Sequence, residues 1–261
     1  MDIVRDDLVL LRRDEDVVIL TLNNPTRCNA FSLSMREVFL QNLLTLQHDT
    51  TCRAIVVTGA GGQFCAGGDL NEMKRRPFLE ARQRLDLPTR IFKLLVAGAK
   101  PVIVAAEGNI AGAGLSLVAA ADYAIAASDA TFSCAFIKVG VIPDVGGLWS
   151  IQRRVGRRRA IEICGLGERF DAQAAMDMQL INAVCTPGSA LTQATDVARR
   201  FAKLPPVAMA VLKSALATGA DTLDQAINTE INLQGLLFST EDFDEAVSAF
   251  RDKREPEFKG R

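Results

Sequence analysis

Residues 101–127, PVIVAAEGNIAGAGLSLVAAADYAIAA, constrain the fold more than any other part of the chain. The segment is apolar, but Glu107, Asp122 and three glycines interrupt it. It therefore lacks the ~20 unbroken apolar residues that cross a bilayer. Length and β-branching divide it instead. Residues 101–106 read as a buried strand, a helix starts at about Ala113, and residues 123–126 read as the next strand. Strand, glycine-rich turn, helix and strand in succession call for helices packed on a sheet, an α/β architecture.

The flanking sequence follows the same rhythm. Residues 17–22 (VVILTL) form a strand closed by Asn23-Asn24-Pro25. Residues 32–46 form an amphipathic helix with Phe31, Met35, Val38, Phe39, Leu43 and Leu46 at helical spacing, capped by Ser32 or Ser34. Strands are expected at 54–58, 131–134 and 184–185, with a short extended piece at 63–66. Helices are expected at 157–166 and 172–178. Beyond about residue 191 the strand signal ends, and helices follow at 191–204, 207–217, 222–237 and 242–251. The chain thus divides into a core, residues 1–200, and a helical region, residues 201–261. No fixed repeat or low-complexity tract is present.

Composition excludes several function classes. The 261 residues carry 30 basic and 31 acidic side chains, a formal charge of −1, which disfavours non-specific binding to nucleic acid or an acidic membrane. The one histidine, His48, ends a helix and reads as a surface residue, so neither a His-rich metal site nor a Ser-His-Asp machine is expected. The six cysteines never form CxxC, which argues against a zinc or dithiol site and suits a reducing cytoplasm. The acid-rich N-terminal stretch suits neither a signal nor a transit peptide. Arg153, Arg154, Arg157, Arg158 and Arg159 form the one strong charge cluster, read as a solvated helix face or a subunit contact.

Chemistry concentrates at two small-residue loops. Gly108 to Gly114 joins a strand to a helix, and residues 64–70 (FCAGGDL) form a second loop. Neither is a GxGxxG or Walker motif. Bare backbone at a helix N-terminus offers unpaired N–H groups and a favourable dipole. Two such groups converging on one oxygen make an oxyanion hole. Close packing of a helix is the competing explanation for the same glycines.

Five segments, in order, resemble the crotonase superfamily of enoyl-CoA hydratases and isomerases: LTLNNPTRCNAF, VVTGAGGQFCAGGDL, the 101–127 stretch, FSCAFIKVGVIPDVGG and AVSAFRDKREPEFKG. AGAGLSL and KVGVIPDVGGLW are most similar to the ring-1,2-epoxyphenylacetyl-CoA isomerase branch of phenylacetate degradation and to Δ3,Δ2-enoyl-CoA isomerases. The resemblance implies a spiral of ββα units with a helical C-terminal region that trimerises, often as a dimer of trimers. It implies a CoA-thioester substrate that brings the only coenzyme. It places the oxyanion hole on the N–H groups of Ala66 and Ala113. Substrate and CoA contacts fall on Arg27, Ala30, Ala66, Gly68, Asp69, Leu70, Gly112, Ser116 and Phe136. Phe250 and Lys253 are to meet the nucleotide end of CoA, often from a neighbouring subunit. Asp69 also reads as a helix N-cap.

The departures from the resemblance bear on the reaction. The positions where the family's hydratases hold two water-activating glutamates are Ser116 and Phe136 here. Hydration needs one group to take a proton and another to deliver one, and this pair lacks both. Asp144, in Ile142-Pro143-Asp144-Val145-Gly146-Gly147, matches the acidic base of the isomerase branch. Isomerisation needs a single base, because one carboxylate can lift a proton and return it two carbons away. Pro-Asp-x-Gly is equally a turn and a helix N-cap. Ser116 reads as a substrate contact or a packing residue, Glu107 as a structural carboxylate, and Trp149 and Phe136 as pocket wall or core. Hydration by another water-activating group, and CoA-ester binding with little catalysis, are the competing readings.

Overall fold

The structure, a computed structural model, describes residues 5–261; the first four residues of the acid-rich N-terminal stretch lie outside it. A one-turn 3-10 segment, Arg5–Leu8, leads into β1 (Val9–Asp14), and β2 (Val17–Leu22), α1 (Leu33–His48) and β3 (Ala54–Gly59) follow. Next come α2 (Phe78–Gln83), α3 (Asp86–Ala97), β4 (Val102–Ala106), β5 (Asn109–Ala111), α4 (Ala113–Ala120), β6 (Tyr123–Ala127) and β7 (Thr131–Ser133). The chain continues with α5 (Gly147–Leu166), β8 (Arg169–Asp171), α6 (Ala172–Asp177), β9 (Ala183–Cys185) and α7 (Ala190–Ala202). It ends with α8 (Pro206–Thr218), α9 (Leu223–Leu237) and α10 (Glu241–Asp252).

The strands divide between two sheets. The larger sheet has the order β1-β2-β3-β4-β6-β9, with β1 antiparallel to β2 and the other pairs parallel. The smaller has the order β5-β7-β8. Cys65 bridges Ile110 in parallel, so the 63–66 piece extends the smaller sheet by one residue pair rather than forming a strand. The turns that start at β3, β4 and β6 run from the large sheet toward the small one and then into a helix, whereas β8 of the small sheet precedes β9 of the large one. Equivalent points of neighbouring turns are stacked, which sets the 66–68 loop beside the start of α4.

The apolar periods expected of α1 are buried. Phe31, Met35, Phe39, Leu43 and Leu46 lie in the core, and Phe31 meets Phe39 edge-on at 5.6 Å between centroids. Val38 is only partly buried. Ser32 is the cap, accepting from the Met35 N–H at 3.3 Å. Helix α4 is buried along its whole length, which its small and aliphatic residues permit. On the other face of the large sheet, Ala190, Ala194, Ala198 and Ala202 of α7 recur every fourth residue and let the helix approach Val17, Ile19, Val56, Ile103 and Ile125 closely.

Some elements depart from expectation. β1 was not expected; its outward residues are exposed, and pairing with the buried β2 holds it in the sheet. β5 and β8 are three-residue strands, too short for a periodic signal. Helix α5 begins ten residues earlier than the expected 157, and Gly156 (φ 74°, ψ 161°) breaks it in the middle. The arginine cluster divides among separate tasks. Arg154 donates to the Ala119 and Ala121 carbonyls at the end of α4, Arg153 lies over the Trp149 ring at 4.2 Å, and Arg159 pairs with Glu162. His48 is the exposed last residue of α1. All six cysteines are unpaired, and among the described residues no helix is long and apolar enough to cross a membrane.

Candidate active site

The two small-residue loops meet as the stacked turns require. Cys65 N–H donates to the Asn109 carbonyl at 3.1 Å, and Ala111 N–H to the Cys65 carbonyl at 2.9 Å. Gly67 and Gly112 then face each other so closely that a Cβ on Gly67 would stand 3.1 Å from the Ala111 carbonyl oxygen. Gly112 has φ 50° and ψ −117°, a conformation open to glycine, and it starts α4 without a side-chain cap. Ala113 is the first residue of that helix, so its N–H has no intrahelical acceptor.

The other expected oxyanion donor is engaged. Ala66 N–H donates to the Cys28 carbonyl at 2.9 Å, contrary to the expectation of a pair of unpartnered donors. The cause is local. Cys28 (φ 46°) and Asn29 (φ 53°) both lie in the left-handed region and turn the Cys28 carbonyl over Ala66. Asn29, fully buried, holds this turn by donating to the Ala60 and Gln63 carbonyls.

Asp144 stands on the wall of a cavity of about 660 Å³. Met73, Leu85, Pro88, Phe136, Val139, Val141 and Ile142 supply its apolar surface, and Arg76 and Arg84 are at its edge. Asp144 does not cap α5. The N-cap is Gly146, with no side-chain cap, and the Gly147 N–H bonds to the Asp144 backbone carbonyl at 2.9 Å. Oδ1 of Asp144 is buried with no hydrogen-bond partner. Oδ2 faces Nη1 of Arg36 at 3.7 Å. Burial pushes the Asp144 carboxyl above its ordinary pKa, against the opposing pull of Arg36, its own N–H and Arg84.

The remaining expected residues fall at varied distances from this centre. Phe136 is buried, lines the cavity and reaches to 4.0 Å from the place of a Gly112 Cβ, so it shapes the wall beside Ala113. Ser116 is fully buried and its Oγ has no partner; it lies against Gly147, at the start of α5. Ala30 is buried beside the 66–68 loop, where Phe31 N–H bonds to the Gly67 carbonyl at 2.7 Å. Asp69 is at once an N-cap, accepting from Asn71 N–H at 2.9 Å, and the partner of Arg27 at 2.6 Å. Burial raises its pKa, but these two donors together bring it below the ordinary value. Leu70 is exposed. Phe250, 86% exposed, and Lys253 sit at the end of α10 and do not line the Asp144 cavity. Trp149 packs edge-on to Phe92 at 5.7 Å, and Phe92 closes against Gly146. Glu107 accepts from the Gly188 and Ala190 N–H groups, both at 3.1 Å, and so serves the start of α7.

Arg36 is the residue the sequence reading missed. It lies on the Leu40–Leu43 side of α1, a charged residue at an apolar position of the helical period, and that was its available signal.

A family model for enoyl-CoA hydratase/isomerase matches residues 12–261. The chain belongs to the enoyl-CoA hydratase/isomerase family. It is 36% identical to 1,2-epoxyphenylacetyl-CoA isomerase of Escherichia coli K12, over 98% of this chain and 99% of that one. It is 34% identical to 2,3-dehydroadipyl-CoA hydratase of the same organism, over 97% and 99%. The crystal structure of an enoyl-CoA hydratase from Polaromonas sp. JS666 matches 96% of this chain and 99% of that one, with a TM-score of 0.90 at 32% identity. The two-sheet spiral is thus the crotonase fold. Isomerases and hydratases both stand among its relatives.

Proposed function

We propose that the chain is an acyl-CoA isomerase that moves a double bond, or opens a strained ring, through a thioester enolate with Asp144 as its single base. One observation carries this reading: Asp144 caps no helix and lines an apolar cavity with a partly exposed side chain, while Phe136 and Ser116 stand where the family resemblance puts the two carboxylates of hydration. The thioester acidifies the C–H beside it and, in an unsaturated chain, the vinylogous C–H. Asp144 takes that proton, the C–H electron pair moves into the dienolate, and negative charge collects on the thioester oxygen. That oxygen takes the Ala113 N–H outright and competes with Cys28 for the Ala66 N–H. Asp144 then returns the proton to the other end of the dienolate. The base works only when ionised, so activity falls as pH drops through its raised pKa.

Two further copies of the chain complete the molecule in this reading. Leu223, Ile227 and Ile231 recur every fourth residue on α9, are 74%, 42% and 64% exposed, and suit burial in a trimer. Phe250 and Lys253 then contact the CoA of a neighbour. Unpaired cysteines suit a cytoplasmic setting.

The test is proton NMR of CoA thioesters in D2O with wild type and Asp144→Asn. Deuterium entering the α or γ carbon with wild type, and not with the variant, is the expected result. Binding without exchange in wild type would refute isomerase chemistry, and hydration of crotonyl-CoA untouched by Asp144→Asn would favour a hydratase with a different water-activating group.

A further inference from the structure

We propose that Arg36 is a positioning residue for Asp144: its guanidinium faces Oδ2 and keeps the carboxylate ionised in an apolar wall. The inference rests on the base assignment above and deepens it.

The geometry separates the two carboxylate oxygens. Arg36 Nη1 stands 3.7 Å from Oδ2, close enough for charge attraction and too long for a hydrogen bond. Oδ1 is the buried atom without a partner. Arg36 is itself fixed in place. Its side chain is 8% exposed, Nε donates to the Phe31 carbonyl at 2.8 Å, and the guanidinium lies 5.4 Å from the Phe31 ring centroid. Nη2 borders Gly68, in the loop that carries Ala66. One cation thus sits between the base and the oxyanion loop, held by a carbonyl and a ring that do not titrate.

Lys74, Arg75 and Arg76 line the same cavity as Asp144, and the groups that act directly on the pair are the following. Arg84, at the end of α2, also attracts Asp144, but it is committed to Glu72 at 2.8 Å. Glu72 acts on Arg36 from the segment before α2, where it also accepts from the Leu33 N–H. Cys65 faces Arg36 as a neutral thiol, its pKa pushed up to about 11 by burial. Ser116, from α4, contributes no charge. Among these, Arg36 exerts the larger opposing pull on a carboxyl that burial would otherwise hold protonated. A protonated Asp144 cannot begin the reaction. Arg36 is therefore needed most where Asp144 is nearest to protonation, on the acid side of the pH profile.

The experiment measures thioester proton exchange in D2O from pH 5 to pH 9 with wild type, Arg36→Gln, Arg36→Lys and Asp144→Asn, with thermal melts as a check on folding. Glutamine keeps a donor for the Phe31 carbonyl and loses the charge. In Arg36→Gln the acid limb moves up by about 1 to 3 pH units. Its kcat falls about tenfold per unit below that limb and recovers above it, and KM stays within about twofold of wild type. A rate lowered by one constant factor at every pH overturns the proposal and leaves Arg36 a structural residue. Should Arg36→Gln fail to fold, Arg36→Lys carries the test. Its shorter side chain sets the charge further from Asp144, so the limb rises by a smaller step, and an unmoved limb overturns the proposal. Asp144→Asn separates the two levels. Retained exchange overturns the base assignment and this inference together, whereas lost exchange with an unmoved Arg36 limb overturns the inference alone.

Discussion

Replacing Gly147 by alanine tests the seam on which the site is built. A Cβ at Gly147 would stand 2.2 Å from Ser116 Oγ, 3.1 Å from Ser116 Cβ and 3.0 Å from Pro143 Cβ. The first contact falls more than an ångström short of ordinary van der Waals distance, so α5 must lean away from α4. Overpacking of this kind costs about 1–3 kcal/mol. Ser116→Ala removes the atom in the worst clash and also a buried hydroxyl without a partner. That change alone stabilises by about 1 kcal/mol, because the unmet desolvation of the hydroxyl disappears. In the double variant only the 3.0 and 3.1 Å contacts remain, so the cost of Gly147→Ala falls by about 1 kcal/mol or more. Urea denaturation of all four proteins at one protein concentration reads these values. Proton exchange follows the same order. Gly147 is three residues after Asp144, and a displacement near 1 Å can lower the rate about 100-fold. Ser116→Ala restores part of this loss in the double variant. Stability effects that add within about 0.5 kcal/mol would refute the reasoning, since they would show that the two residues do not share a contact.

Other outcomes follow from buried and capping groups. Lys213 donates to the Leu95 and Lys100 carbonyls and to Asp122, tying α8 to the sheet; Lys213→Met strands Asp122 and costs about 3–5 kcal/mol in urea melts. Burial already raises the Asp122 pKa against the pull of Lys213, and without Lys213 it rises further. A carboxyl with a raised folded pKa adds stability below its unfolded pKa, about 4, and loses it as pH climbs through the folded value; the defect of Lys213→Met is therefore smaller at pH 5 than at pH 8. Glu107→Ala costs about 1 kcal/mol and speeds hydrogen exchange at Gly188 and Ala190, with proton-exchange catalysis unchanged; a catalytic loss beyond that of the stability-matched Glu107→Gln would contradict its capping role. Gly112→Ala, at φ 50° and ψ −117°, strains the start of α4 and lowers enolate formation more than thioester binding, read as a fall in kcat exceeding the rise in KM.

The residues legible in sequence were those whose signal is local. The VVILTL strand, the period of α1 with its Ser32 cap, and the alanine-rich α4 each satisfy their own backbone and bury their own face. Short strands such as β5 and β8 exist only because a neighbour pairs with them, so three residues give no period to read. In the site, the glycines of the two loops announced a close backbone approach, and Phe136 and Ser116 announced the lack of two carboxylates. The turn at Cys28 that takes up the Ala66 N–H is set by Asn29 reaching the Ala60 and Gln63 carbonyls, more than thirty residues along the chain. Arg36 was visible only as a charge out of step with its helix.

The sequence by itself determined the alternation of strands and helices, the family, and the residue types available for chemistry, because these depend on spacing along the chain and on side-chain identity. Tertiary structure decided that Asp144 faces a cavity instead of capping α5, that Arg36 stands 3.7 Å from its Oδ2, and that one of the two expected oxyanion donors is already engaged. Each of those depends on burial and on distances between groups far apart in sequence. The ionisation of a carboxyl and the availability of an N–H follow from what surrounds them once the spiral has closed.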